Sequence, residues 1–159
     1  MSVKIVHTLT FSVFAKEYDD AKKVEEALRA LVPLDFEKEK IKVQIQKCEG
    51  FEGIIKVMTI QLTKVSHTNH VLDTLLKKLT ADQKELLKSQ TESRLDEELD
   101  YFIRFEKDAW VNERALELTE LGNCIHCKLA LAVYPKKREL AIQLVHRLLD
   151  QGSGNQKSI

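Results

Sequence analysis

The chain has 159 residues, 43% of them hydrophobic, with Lys+Arg and Asp+Glu balanced at 25 each. That length suits one domain with a continuous core, and the charge balance excludes a global basic field, so any anion site must be local. No apolar run approaches the roughly 20 residues that span a bilayer. Met1-Ser2-Val3-Lys4-Ile5 also lacks a signal peptide's charged and apolar regions, so the expectation is a cytoplasmic protein with no membrane partner.

From Val3 to Val13 the odd positions Val3, Ile5, His7, Leu9, Phe11 and Val13 alternate with Lys4, Thr8, Thr10 and Ser12. This predicts a strand with one buried face, His7 included. Asp19 and Asp20 can cap a helix with the stripe Val24, Ala27, Leu28 and Leu31, ended before Pro33. Ile41, Val43 and Ile45 alternate with Lys42, Gln44 and Gln46, and after the turn Gly50-Phe51-Glu52-Gly53 a run from Ile54 to Val65 reads as the returning strand of a hairpin.

Leu72, Leu75, Leu76 and Leu79 follow at helical spacing, and Thr80-Ala81-Asp82-Gln83 has the capping-box form that starts a second helix, from Asp82 to Leu99. Its charged end, Arg94-Leu95-Asp96-Glu97-Glu98, is expected to run into a strand at Tyr101-Phe102-Ile103-Arg104-Phe105. A short strand around Leu116 and Leu118 and another from Cys124 to Tyr134 would complete an antiparallel meander. Pro135 suits the first turn of a last helix carrying Leu140, Ala141, Leu144, Val145 and Leu148, with Gly152 beyond it. The order β-α-β-β-α-α-β-β-β-α predicts an α+β fold: a single layered domain over 1–152, its mostly antiparallel sheet carrying helices on one face, and a disordered tail over 153–159.

Three cysteines in a chain able to build its own core argue for free thiols. Cys124-Ile125-His126-Cys127 has the spacing of a zinc or redox motif, but in a strand residues three apart face opposite ways. Cys127 should join Ile125 and Leu129 in the core while Cys124 points away, and no second Cys/His pair completes a metal site. His67 and His70 have no nucleophile beside them, and Asp96, Glu97, Glu98 and Asp100 read as a solvated face paired locally with Arg94. Gly50 and Gly53 fit a hairpin turn and no glycine-rich phosphate loop is present. No enzyme, cofactor or metal site is expected.

Lys136-Lys137-Arg138 puts three cations at the start of the last helix, where the macrodipole already favours an anion. A phosphate site there competes with a solvated charge run offset by Glu139. Lys42, Gln44, Gln46, Phe102, Arg104, His126 and Lys128 should share the sheet face opposite the helices, where an aromatic among cations can stack a base, form a dimer interface or serve as a satellite core.

The run Arg94-Leu95-Asp96-Glu97, then Tyr101-Phe102-Ile103-Arg104-Phe105-Glu106-Lys107, Leu116-Glu117-Leu118 and Val133-Tyr134-Pro135-Lys136-Lys137-Arg138-Glu139, resembles archaeal proteins described as predicted RNA-binding proteins or predicted exosome subunits. His7-Thr8-Leu9 and Lys23-Val24-Glu25-Glu26-Ala27-Leu28 extend the resemblance over nearly the whole chain. It implies a fold similar to the ribosomal protein that binds the small rRNA of the large subunit, and a non-catalytic RNA-binding accessory role in RNA processing or ribosome-associated work, within an RNA-processing complex. The acidic, aromatic turn Glu49-Gly50-Phe51-Glu52-Gly53 departs from the polar turn expected of that family. The expected RNA-binding residues are Lys136, Lys137, Arg138, Arg104 and Lys128. The alternative is a protein-interaction module acting as a homodimer without RNA contact.

Overall fold

A computed structural model describes residues 3–51 and 53–157 of the chain. In chain order the elements are β1 (Val6–Ala15), α1 (Ala21–Ala30), β2 (Gln44–Gly50), β3 (Gly53–Leu62), α2 (Val65–Lys78), α3 (Ala81–Ser89), α4 (Thr91–Arg94), β4 (Asp100–Glu106), α5 (Lys107–Glu113), β5 (Cys124–Leu131) and α6 (Arg138–Lys157). The strands form one five-stranded sheet in the order β2-β3-β1-β5-β4. The β2–β3 and β3–β1 pairs are antiparallel. Ala132 N–H donates to Ile5 C=O, Lys107 N–H to Asn123 C=O and Leu131 N–H to Leu99 C=O, which sets β5 antiparallel to both β1 and β4. The α+β class and the mostly antiparallel sheet are as the sequence pattern predicts.

Several local expectations are corrected. The last three-strand meander is β4 and β5 alone, because the Leu116–Leu118 segment contributes only the bridge from Leu118 to Phe105. The residues after β4 form helix α5, and the predicted helix from Asp82 to Leu99 ends in two pieces at Ser89 and Arg94. Asp96-Glu97-Glu98 is a turn instead of a helix end. Asp96 Oδ1 accepts from the N–H groups of Glu98 at 3.0 Å and Asp100 at 2.9 Å, and Leu95 bridges Tyr101 across it. Leu99 takes a left-handed φ of 67° there, a strained conformation for a branched residue. Helix α6 extends through residues 153–157, where a tail was expected; Ser158 and Ile159 lie outside the described residues, as does Glu52 in the hairpin turn.

The alternation in β1 also slips by one residue. Val6 is buried and His7 exposed, after which Leu9, Phe11, Val13 and Ala15 are buried in register. His7 is therefore not a core histidine. Ile45 is 46% exposed, because β2 is an edge strand open on both faces.

The chain divides into two compact units: one takes the stretch up to Thr8, Thr63–Phe102 and the chain from Lys128, the other Leu9–Leu62 and Ile103–Cys127. In the second unit α1 packs against α5 and β3, burying Val24, Ala27 and Leu28. Asp20 caps α1 by accepting from Lys23 N–H at 3.3 Å. Trp110 of α5 is buried, and its indole N–H donates to Ala27 C=O at 2.7 Å. That bond satisfies the polar edge of a large apolar ring and locks α5 to α1. Lys107, also buried, donates its ammonium to Phe14 C=O and to Asp19 Oδ2, both at 2.7 Å. The hairpin closes on the Gly50–Gly53 pair, and Gly53 has φ 102°; a Cβ there would meet the Glu17 carboxylate, whose Oε1 accepts from Ile54 N–H.

In the first unit α6 packs against α2, α3 and α4. Thr80 and Gln83 form the predicted capping box, with bonds of 3.1 and 2.9 Å. Val71, Leu72, Leu75, Leu87, Tyr101, Leu129, Ala141, Val145 and Leu148 supply the core.

The Asp19–Lys107 pair gives a stability test. Burial pushes the Asp19 carboxyl up, but the Lys107 and Lys16 N–H hydrogen bonds and the two ammonium charges outweigh it and leave the carboxyl below its ordinary value. A carboxyl lowered on folding contributes stability above its unfolded value near pH 4, and that contribution is lost as pH falls towards the folded value. Asp19→Asn is expected to cost about 2 kcal/mol at pH 7, less than a fully buried pair because the Asp19 side chain retains 20% exposure. Urea unfolding at pH 7 and below pH 4 checks this, since the penalty should shrink in acid.

Candidate nucleic-acid interface

Alternation along β4 and β5 decides which side chains reach the open face of the sheet. In β4 Tyr101, Ile103 and Phe105 are buried while Phe102, Arg104 and Glu106 are half-buried, and in β5 Ile125, Cys127, Leu129 and Leu131 are buried while His126 and Lys128 are half-buried. This matches the expected division except at Cys124, which is buried too. Burial pushes both Cys124 and Cys127 thiols up, Cys124 despite the nearby Arg104 charge, so neither is a reactive thiolate at neutral pH. Among the described residues no three His, Cys, Asp or Glu side chains gather where a metal ion could be held.

In the second unit the open face is free of charge over β1, β2 and β3. The register lines up Thr10 with Gln61, Ser12 with Thr59 and Gln44, Phe14 with Val57 and Gln46, and Cys48 with Ile55. None of these strand positions carries a cation; the expected Lys42 is exposed but precedes β2, and Phe14 is 49% exposed. Arg104 is half-buried and donates from Nη1 to Glu120 C=O at 3.3 Å. His126 is held below its ordinary pKa, first by burial and then by the Arg104 charge, so it is neutral at pH 7.

The first unit holds the other four predicted cations. Lys128 pairs with Asp100 at 3.4 Å, which neutralises part of its charge. Arg138 acts as a clamp: its guanidinium donates to the C=O groups of Glu92 at 2.7 Å, Leu95 at 3.0 Å and Asp96 at 3.2 Å. These carbonyls lie at and just beyond the C-terminal end of α4, where partial negative charge collects. The cost expected for a cation at the start of α6 is thus offset by its contact with α4.

Lys136 and Lys137 are different. Both are exposed, both precede α6 instead of lying in its first turn, and no ion pair engages either among the described residues. Pro135 stands before the helix as well, joined to Tyr134 by a cis peptide bond. Sequence reasoning did not single out Tyr134, which is 97% exposed and separated from the two lysines only by Pro135. Its place in the Tyr-Pro-Lys-Lys run was the available signal.

The model of a family described as RNA binding matches residues 8–131. The chain belongs to this RNA-binding family. It is 25% identical over 146 residues to a Pyrococcus abyssi protein named RNA-binding protein PAB1135, covering 91% of this chain and 94% of that one. Its fold resembles that of protein AF2318 from Archaeglobus fulgidus at a TM-score of 0.80 and 29% identity, over 90% of this chain and 99% of the other. Mth689 from Methanothermobacter thermautotrophicus shares the fold at a TM-score of 0.72 and 23% identity, over 91% and 98% of the two chains. The family match covers Arg104 and Lys128 and stops short of the Tyr134–Lys137 turn.

The two roles within the Lys136-Lys137-Arg138 run separate by experiment. Arg138→Ala should lower stability by about 1 kcal/mol, small for three charge-assisted bonds because the side chain is exposed to water. Lys136→Ala and Lys137→Ala should leave stability within about 0.5 kcal/mol of the parent chain. Thermal unfolding of the three variants side by side checks both.

Proposed function

We infer that the protein is a non-catalytic RNA-binding accessory protein, holding RNA phosphates with Lys136 and Lys137. Family membership carries the RNA-binding reading, and the name of the Pyrococcus abyssi relative supports it. The choice of residues follows from their surroundings. Lys136 and Lys137 are exposed and unpaired among the described residues, whereas Arg138 holds α4 and Lys128 is paired with Asp100. Arg104 is a secondary contact, its guanidinium already engaged with Glu120 C=O. With equal numbers of acidic and basic residues the chain has no global attraction for polyanions, so binding depends on such local groups. A role in RNA processing or ribosome-associated work, as part of a larger complex, is what the resemblance of the sequence implies.

Binding to single-stranded RNA should weaken as salt rises. Each phosphate neutralised contributes about 0.7 to the slope of log K against log salt, so replacing Lys136 and Lys137 together by Ala should reduce that slope by about 1.4. Fluorescence anisotropy between 50 and 200 mM salt, roughly the range over which such contacts are resolved, measures it. An unchanged slope removes the two lysines from the interface, and no binding at low salt removes the RNA reading.

A second reading, self-association, is favoured by one observation. The charge-free face of β1, β2 and β3 presents Phe14, Val57 and Ile55 with no like charges to repel a second copy. Light scattering should find a dimer in the parent chain and a monomer in Phe14→Asp; a monomeric parent chain rejects this reading.

A further inference from the structure

The first unit contains a groove of about 260 Å³ lined in part by Tyr134, two residues before Lys136 in the chain. One wall is Val3-Lys4-Ile5, the second is Ala132-Val133-Tyr134, and the third is Leu140, Leu144 and Arg147. The last three lie at spacings of four and three, along one face of α6. The first wall is held from two sides: Asn69 donates its side-chain N–H to Val3 C=O at 3.0 Å, and Ala132 N–H donates to Ile5 C=O at 2.9 Å. The groove is thus built from anchored backbone and helix.

Its chemistry is asymmetric. Val3, Ile5, Val133, Leu140 and Leu144 supply an apolar lining, while the charges on its walls are both positive, Lys4 and Arg147. Neither cation has an ion-pair partner among the described residues. At the mouth stands Tyr134, 97% exposed, followed by Lys136 and Lys137. The nearest acid along the chain is Glu139, itself exposed. The volume lies just below the roughly 300–1,000 Å³ of small-molecule pockets, room for one planar ring system.

We propose that this groove is a nucleobase subsite for single-stranded RNA, where one unstacked base lies against Tyr134 and the apolar lining while Lys4, Arg147, Lys136 and Lys137 take the flanking phosphates. The proposal rests on the RNA-binding reading above and deepens it by naming the substrate as single-stranded. A flat ring, an apolar floor and a cationic rim are the three parts that a nucleotide needs, since every base has a stacking face and every linkage an anion. A base buried in a duplex offers no free face to the ring. An acidic peptide would satisfy the cations but leave the ring and floor without a flat partner.

The test compares the parent chain, Tyr134→Ala, Tyr134→Phe and the double variant Lys136→Ala/Lys137→Ala. The probes are a single-stranded RNA oligomer, the same oligomer with abasic positions, and a blunt RNA duplex. The subsite requires Tyr134→Ala to bind the single strand about tenfold more weakly and Tyr134→Phe to bind it within about twofold of the parent chain. It also requires the abasic oligomer to bind the parent chain no better than the intact oligomer binds Tyr134→Ala. A 2-aminopurine base in the oligomer should be quenched by the parent chain and not by Tyr134→Ala. If Tyr134→Ala binds as the parent does while the double lysine variant weakens binding, the subsite is wrong and the RNA-binding reading stands. If no probe binds at low salt, both fail. Preference for duplex, or tighter binding of a poly-glutamate peptide than of the single strand, also overturns the subsite.

Discussion

Along β4 and β5 the strands bury every second residue and leave the alternate ones half-exposed, and much of the molecule follows from that one-sided burial. A strand with one wet face must place its apolar residues two apart and its helices on one side. Polar atoms that the helical side covers then need partners inside the fold. Lys107, Trp110 and Tyr101 supply them, by giving an ammonium to Phe14 and Asp19, an indole N–H to Ala27 and a phenol to Leu87. Each is a long side chain whose apolar body fills the core and whose polar end satisfies a backbone carbonyl.

The charges sort by the same logic. Several cations that look like binding residues in one dimension are tied up in three. Arg138 holds carbonyls of the α4 end, Lys128 faces Asp100, and Lys107 is buried. In the first unit Lys4, Lys136, Lys137 and Arg147, on the turn before α6 and the walls of the groove that Tyr134 lines, are among the exposed cations without carboxylate partners among the described residues. In the second unit the open face of β1, β2 and β3 carries no charge, which suits contact with protein better than with phosphate.

The core strands were legible because alternation is local. Leu9, Phe11 and Val13, and likewise Ile103 and Phe105, declare their buried face by position alone. The capping box at Thr80 and the cap at Asp20 were legible for the same reason, since their bonds span only three residues. Helix α5 was not: its cap is Glu106, outside the usual Ser, Thr, Asp and Asn set, and its length of seven residues is too short for a clear period. The break of the charged helix at Arg94 was hidden as well, because Asp96 bonds two N–H groups of a turn whose acids are equally at home on a helix face.

For this protein the sequence alone determined the α+β class, the hairpin at Gly50 and Gly53, the buried faces of β4 and most of β1, and a likeness to RNA-binding proteins. All of these are written in short-range spacing or in the order of motifs. Only the tertiary structure decided which cations are occupied, that His7 and Ile45 lie outside the core, and that Tyr134 stands beside an apolar groove with Arg147. Those depend on contacts such as Arg138 with Glu92 and Asn69 with Val3, whose partners are distant in sequence. No local pattern encodes which distant carbonyl or carboxylate a charged side chain will meet.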